Sequence, residues 1–412
     1  MADAPAKRAL LAGKIQCTVT PSIPRHFACS PTAGWFCRVF PNCTARAKGV
    51  RQILVGHQLL DKHDLSALRT RRPCDRGFVV NWELQREIWS HTFTSLLDIS
   101  TTNSGLLLTE PLFSLPAMQD ATQQMVFEDF GFQSLCVCPA ALLSLQHAKA
   151  QETAANQAGC ALVLDAGFSF SHAVPIFSDV VLDTGVRRLN LGGKVLTNYL
   201  KELVSYRSIN LMEETYLVEH IKDAVCFVSN NLQEDLTMAQ QSHSPHKLEY
   251  VLPDGLTNLT GFVRKPEPAV KGKSGGLPAK ELAVALNNER FLVPELLFHP
   301  SDISLPQAGV AELIHDAVNA VHPDLHGLLY SNIILSGGSS CCPGFKDRLL
   351  KDLRPLVPDH FELNITLPES PVVCAWQGGS SFVSTPEYNA MTLTKAEYEE
   401  QGYDRLQTVS SV

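Results

Sequence analysis

Short apolar runs alternate along the chain with stretches in which apolar residues return every three or four positions. The runs at 106–108, 161–164 and 333–335 have the length and composition of buried strands. Helical spacing is clear at 215–228 and 308–320. Strands that alternate with helices in this way indicate an α/β fold.

Less regular segments complete this pattern. Residues 119–130 are predicted to be helical, and 135–145 begin as a strand and continue as a helix. Residues 248–263 predict a weak hairpin, and 281–289 predict another helix. Between them, 265–280 is rich in Lys, Pro and Gly, which is typical of a flexible exposed insertion.

The stretch 161–175 predicts a β-hairpin with a carboxylate at its turn. Its apolar run ends at Asp165, and Ala166 and Gly167 form a small-residue turn before an alternating second strand. Because the first strand is apolar throughout, we expect it to be buried on both faces. A carboxylate beside a glycine that lets backbone approach closely suits an anion or a metal-bound phosphate. An ordinary hairpin with an aspartate in its turn is the alternative.

A second glycine turn follows the apolar run at 333–335. Its residues 336–340 read Ser-Gly-Gly-Ser-Ser, and helical spacing resumes after Pro343. A strand, a glycine loop and a helix N-terminus together form a common way to hold a nucleotide phosphate or ribose. The glycine spacing fits neither the dinucleotide fingerprint nor a Walker loop.

Composition limits the class of protein. The 412 residues suffice for two or more hydrophobic cores, and 45% of them are hydrophobic while 18% are charged. A formal net charge of −8 argues against a dedicated nucleic-acid binder. The twelve cysteines include no CxxC pair, which favours a reducing compartment and no zinc site. No apolar run is long enough to span a bilayer, so the chain is predicted to be soluble.

The N-terminal part of the chain is unusually basic. Residues 1–38 have the composition of an organelle transit peptide. A disordered tail, or an N-terminus that differs from the usual product, is the alternative that we favour. The segment 44–73 is most simply interpreted as a solvated basic face. A more specific hypothesis is that it contacts acidic partner segments or DNA phosphate. Its basic residues are Arg46, Lys48, Arg51, Lys62, Arg69, Arg71 and Arg72.

Taken together, the two turns resemble the actin family. The residues 335–338 with 343–345 resemble the adenosine-binding loop of that family, and 164–167 with His172 resemble its second phosphate loop. Similar motifs follow in order over roughly 39–400. Segments such as 199–207 point to a plant-type branch of the actin-related proteins.

This resemblance implies a two-lobed actin-like fold, in which each lobe is an RNase H-like mixed sheet flanked by helices. The first lobe would comprise 39–157 and 370–412, and the second lobe 158–369 with 187–287 as its smaller subdomain. Residues 1–38 would precede both lobes as an atypical segment, and the usual first phosphate loop is not recognisable there.

The resemblance also implies a degenerate nucleotide site. Asp165 would be the magnesium-side carboxylate and Gly167 part of a phosphate loop, while Lys222 and Asp223 would lie near the ribose. The full set of implied nucleotide-binding positions is Asp165, Gly167, Lys222, Asp223, Gly337 and Gly338.

Departures from the family pattern concentrate at this site. Phe168 and Ser169 replace an Asp-Gly pair, and Ala140 replaces the glutamine that orients the attacking water. A methyl group cannot position water, so the resemblance predicts no ATP hydrolysis. His172 matches a second water-contacting position, but a structural role is the simpler interpretation. Three positions of the adenosine pocket also depart from the family pattern. Glu219 replaces an arginine, Cys342 replaces a stacking tyrosine and Val372 replaces a lysine.

The expected function follows from the branch. The resemblance implies a non-catalytic subunit of a nuclear Swr/SRCAP-type chromatin remodelling complex, which deposits the Z-type histone variant and in plants affects flowering time. Its partners would be a Snf2-type motor, a small zinc-HIT-type protein, and nucleosomes with DNA through the complex. No cofactor is required, although binding of ATP without turnover stays open. A nuclear location is expected, and the presence of part of the protein in the cytoplasm also stays open. The alternatives are an active actin-type ATPase, a cytoskeletal actin-related protein and a sugar kinase of the same superfold.

Overall fold

The computed structural model describes most of the chain. The described residues are 15–17, 25–28, 38–47, 51–59, 65, 68–151, 159–241, 243–264 and 281–401. The predicted insertion at 265–280 and most of residues 1–38, where the first phosphate loop is not recognisable, lie outside them.

Twenty strands occur in the described residues. They are β1 (Ile15–Cys17), β2 (Arg25–Ala28), β3 (Arg38–Pro41), β4 (Thr44–Ala47), β5 (Ile53–Val55), β6 (Leu68–Arg71), β7 (Cys74–Asp75), β8 (Phe78–Val79), β9 (Gly105–Glu110), β10 (Ser134–Pro139), β11 (Ala161–Ala166), β12 (Ser171–Phe177), β13 (Val180–Val181), β14 (Arg187–Leu189), β15 (Leu248–Val251), β16 (Phe262–Arg264), β17 (Ala283–Leu286), β18 (Ile333–Ser336), β19 (Ile365–Thr366) and β20 (Thr392–Thr394).

Thirteen α-helices occur in the same part of the chain. They are α1 (Trp82–His91), α2 (Pro116–Gln124), α3 (Ala140–Ala150), α4 (Gly193–Arg207), α5 (Thr215–Val225), α6 (Leu232–Ala239), α7 (Glu289–Glu295), α8 (Val310–Asn319), α9 (His326–Tyr330), α10 (Phe345–Leu353), α11 (Cys374–Phe382), α12 (Pro386–Met391) and α13 (Lys395–Gln401). Single π-helical turns extend α1 and α2.

The first large sheet has the strand order β1-β9-β10-β20. Strand β9 is parallel to both β1 and β10, whereas β20 is antiparallel to β10. The apolar run Leu106, Leu107 and Leu108 is fully buried in β9, as its sequence predicts. Helices α3 and α11 pack together beside this sheet.

The second large sheet has the order β13-β12-β11-β18-β19, with β14 paired to β12. Strands β11 and β12 form the predicted hairpin, and every residue of β11 is buried. Strand β18 is parallel to β11, so Asp165 of β11 is the register partner of Ser336. This pairing brings the two glycine turns predicted from the sequence to the same edge of the sheet.

A small sheet of order β5-β4-β6 packs against the second lobe. Its inner-face residues Ala45, Leu54 and Leu68 belong to one hydrophobic core with Leu217 and Ile221 of α5. The backbone N–H of Leu65 also donates to the carbonyl of Leu259, at 3.0 Å. The hydrophobic core is therefore continuous from the small sheet into the second lobe.

Two sequence predictions are wrong. The segment 281–289 forms strand β17 rather than a helix, because Val284 and Leu286 are buried on alternate positions and pair with β15. The disorder predicted for 1–38 does not hold for 15–17 and 25–28. Their backbones hydrogen-bond to β9 and β3, and this pairing supplies order that their composition does not indicate.

Two features are absent from the described residues. None of their helices is long and apolar enough to cross a membrane. No group of three or more His, Cys, Asp or Glu side chains among them is arranged to hold a metal ion.

Candidate functional site

Asp165 and the two glycine turns meet at the carboxyl ends of β11 and β18. Gly337 has a φ of +89°, and a Cβ there would lie 2.4 Å from the carbonyl oxygen of Ala166 and 2.8 Å from Oδ1 of Asp165. Only glycine fits so close to another backbone at this φ. The structure therefore assembles Asp165, Gly167 and Gly337 as the sequence predicts.

The turn that follows Asp165 is held by its neighbours through its carbonyl groups. The backbone N–H groups of Gly193 and Lys194 donate to the carbonyls of Gly167 and Phe168, at 3.0 and 2.8 Å. The hydroxyl of Ser339 also donates to the carbonyl of Gly167, at 3.1 Å. Two donors at the N-terminus of α4 are thus already used within the protein, so they are not free for a phosphate.

Phe168 carries a contact that joins the two lobes. The Arg72 guanidinium carbon lies 4.3 Å from the centre of the Phe168 ring, and Arg72 also donates to Glu219 at 2.7 Å. The side chains of Arg72 and Glu219 are 18% and 11% exposed, so this ion pair is largely shielded from water. We call Arg72, Phe168 and Glu219 the interlobe clasp.

A second contact between the lobes lies beside this clasp. Gly77, between β7 and β8, has a φ of +85°, and a Cβ there would lie 1.9 Å from Cε1 of Phe170. The Phe170 ring therefore lies directly against this glycine. Lys194 pairs with Asp75 at 2.5 Å, and this hydrogen bond is the main reason that the pKa of Asp75 is below its usual range.

A cavity of about 260 Å³ lies next to the clasp. Four implied nucleotide-binding residues line it, whereas Asp165 and Gly337 do not. Lys222 is 3.4 Å from Asp223 and donates to the hydroxyl of Thr197 at 3.2 Å. The four lining residues are Gly167, Lys222, Asp223 and Gly338.

Most of the remaining wall of the cavity is apolar. Cys342 and Val372 line it at positions where the resemblance implies an aromatic ring and a lysine, and Cys226 lies with them. Burial raises the pKa of Cys342 to about 12 and that of Cys226 further, so both thiols are protonated and act as small apolar groups. A Cys offers a purine far less stacking area than a tyrosine ring does.

The two positions that the resemblance assigns to water contacts carry Ala140 and His172. Ala140 is the first residue of α3 and presents only a methyl group. His172 is 3% exposed and its ring centre lies 4.4 Å from that of Phe170. Burial, together with the nearby Arg188, lowers the pKa of His172 to about 3, so the imidazole is neutral. Its Nε2 meets no hydrogen-bond partner among the described residues.

The magnesium side of the implied site departs from the family pattern. Phe168 puts an aromatic ring where the family has a carboxylate, and the ring is covered by the Arg72 guanidinium. Sequence reasoning noticed Phe168 but missed the residues that hold it in place. The available signal was a basic run at 69–72 and the acidic residue Glu219 at a position where the family has an arginine.

Comparisons with known proteins agree with this geometry. The family model described as Actin matches residues 29–410, so the chain belongs to the actin family. The two-lobed α/β fold expected from the sequence is thereby confirmed.

Several similar relatives are named actin-related protein 6. Actin-related protein 6 of Arabidopsis thaliana is 46% identical over 390 residues, which cover 89% of this chain and 92% of the relative. Actin-related protein 6 of Oryza sativa subsp. indica is 44% identical over 401 residues, covering 90% and 92%. The Drosophila melanogaster protein of the same name is 38% identical over 378 residues, covering 89% and 93%. The branch expected from the sequence is confirmed.

Proposed function

We propose that this protein is a non-catalytic, actin-related subunit of a Swr/SRCAP-type chromatin remodelling complex. In this role the protein is a rigid body in the nucleus, and a separate Snf2-type motor supplies the ATP hydrolysis that drives deposition of the Z-type histone variant. It contacts that motor and a small zinc-HIT-type protein, and meets nucleosomes and DNA through the complex. In plants, we expect its loss to alter flowering time through transcription.

The interlobe clasp is the observation that carries this proposal. A nucleotide switch of the actin type needs a cleft whose closure depends on the bound phosphates. Here Arg72 joins Phe168 and Glu219 across the cleft with side chains of the protein alone. The core that runs from the small sheet into α5 adds to this connection. Closure without nucleotide suits a scaffold better than a switch.

A phosphate-release assay on the purified full-length chain tests the non-catalytic role. With MgATP, we expect the wild type to release phosphate no faster than an Asp165→Ala variant. Asp165 is the single magnesium-side carboxylate that the family pattern leaves in place, so residual turnover should depend on it. Sustained release by the wild type that Asp165→Ala abolishes would establish the active ATPase and refute the proposal.

Purification from nuclei tests the assembly. We expect the tagged protein to recover a Snf2-type motor and a zinc-HIT-type protein, identified by mass spectrometry. Recovery of cytoskeletal proteins without any remodelling subunit would favour the cytoskeletal alternative and defeat this assignment.

A thermal-shift titration with MgATP addresses the cofactor separately, because a ligand that binds the folded state raises the melting temperature by mass action. A rise would indicate ATP bound without turnover, and its absence would agree with a protein that requires no cofactor.

A further inference from the structure

The outer face of the small sheet β5-β4-β6 carries a row of side chains that the scaffold does not need. Arg46 of β4 is the register partner of Ile53 in β5 and of Arg69 in β6. Partner residues in antiparallel strands point to the same side of a sheet. Ile53, Arg46 and Arg69 therefore form one row across all three strands, and all three are exposed.

Two more arginines extend this row. Arg71 lies two residues after Arg69 on β6, so it shares the same face, and it is exposed. Arg51, also exposed, precedes Ile53 by two residues. We call Arg46, Arg51, Ile53, Arg69 and Arg71 the arginine face. The opposite face of the sheet is buried against the second lobe, so the arginine face points away from the cleft.

Folding alone does not account for this arrangement. Like charges directly opposite each other on a sheet are destabilising, and Arg46 lies opposite Arg69. Arg69 pairs with Glu213, and both side chains are largely exposed. Among the described residues, no carboxylate forms a salt bridge with Arg46, Arg51 or Arg71. Within the part of the chain that the structure describes, these three charges are therefore uncompensated and available to a partner.

We propose that the arginine face binds an extended, acidic segment of a partner protein. Arg69 and Arg71 are about 7 Å apart along their strand, which is also the spacing of alternate residues in an extended peptide. Carboxylates at alternate positions of such a peptide would therefore meet both guanidinium groups. The contact between Glu213 and Arg69 shows that a carboxylate reaches this face.

Two observations favour an acidic protein segment over nucleic acid. Ile53 is 43% exposed within the row, and it offers an apolar contact that a side chain can use and a phosphate backbone cannot. The net charge of −8 repels a long polyanion, whereas a short acidic peptide feels mainly the nearby arginines. Because the arginine face lies outside the cleft, binding there does not require the proposed function to be correct.

Fluorescence anisotropy with a defined probe tests this inference. The probe is a labelled 16-residue peptide in which Glu alternates with Thr or Val, and the same peptide with Gln for Glu is the uncharged comparison. We expect the full-length wild type to bind the acidic probe only, with an affinity that falls as salt is added. In the Arg46→Gln, Arg51→Gln, Arg71→Gln triple variant, we expect the affinity to fall at least tenfold.

A matched triple variant separates the arginine face from bulk charge. Arg86→Gln, Lys247→Gln and Lys346→Gln remove three exposed charges elsewhere on the surface, and we expect less than a twofold change in affinity. Thermal melting of both variants checks that they are folded.

Three results would overturn the inference. The first is that the wild type does not bind the acidic probe. The second is that both triple variants lose affinity equally. The third is that a 16-base-pair DNA duplex binds the wild type more tightly than the acidic probe does, and that only the arginine-face variant loses this binding. The last result would identify a nucleic-acid surface instead.

Discussion

Removing Arg72 should loosen the interlobe clasp and leave a shielded carboxylate without its partner. Arg72 directly follows β6, donates to Glu219 of α5 at 2.7 Å and covers Phe168 of the turn after β11. Arg72→Ala deletes both contacts and strands the Glu219 carboxylate in a site where its side chain is 11% exposed. Breaking a fully buried pair from one side typically costs about 3–5 kcal/mol. Because solvent reaches part of this pair, we expect Arg72→Ala to lower the free energy of unfolding by about 2–4 kcal/mol.

The chain provides its own control. Arg69 lies on β6, three residues before Arg72, and pairs with Glu213, but these side chains are 67% and 74% exposed. Such surface pairs contribute about 0–1 kcal/mol, so Arg69→Ala should change stability little. Urea denaturation of the full-length chain, followed by tryptophan fluorescence, measures both losses.

A double-mutant cycle shows whether the loss arises from the pair itself. Glu219→Ala in the Arg72→Ala background should restore part of the stability, because it removes the stranded charge. We expect a coupling free energy of about 1–3 kcal/mol between the two residues. A coupling below about 0.5 kcal/mol, or an equal loss in Arg69→Ala, would show that the clasp does not hold the lobes together.

Two further predictions concern Gly77 and Glu110 of the first lobe. Gly77→Ala should lower the free energy of unfolding by about 2–5 kcal/mol, because the alanine Cβ would meet the Phe170 ring at a φ that disfavours residues other than glycine. Adding Phe170→Ala should recover part of this loss in the same urea assay. No recovery would refute the proposed packing of Phe170 on Gly77. Burial raises the pKa of Glu110 from 4.5 to about 6, so between these values the folded chain binds more protons than the unfolded chain. Stability should therefore fall by about 2 kcal/mol as the pH rises through this window. Glu110→Gln should remove that contribution, and a difference between wild type and variant that does not change with pH would contradict it.

Local patterns were sufficient to predict many of the elements. The hairpin of β11 and β12 was predictable because an apolar run, a glycine and an alternating segment all lie within 17 residues. The strand β17 was not, because its four residues Ala-Val-Ala-Leu suit a helix equally well. Pairing with β15, more than thirty residues earlier in the chain, decides in favour of the strand. Short apolar segments are in general decided by their distant partners.

The site divides in the same way. Asp165, Gly167 and Gly337 were predictable because their turns have recognisable local sequences. The interlobe clasp was not, because Arg72 and Glu219 are 147 residues apart and nothing in either local sequence identifies the partner. Contacts of this kind come from the packing of the small sheet on α5, which only the fold specifies.

The small sheet β5-β4-β6 comes early in the chain, but its burial depends on residues of the second lobe that come much later. Its inner-face residues Ala45, Leu54 and Leu68 share a core with Leu217 and Ile221, which come more than 140 positions later. A truncated protein that ended before the second lobe would leave these side chains in water, and it would expose an aggregation-prone hydrophobic surface during synthesis. A hybrid between two relatives should therefore transfer residues 38–79 together with the second lobe, because these parts have to match each other.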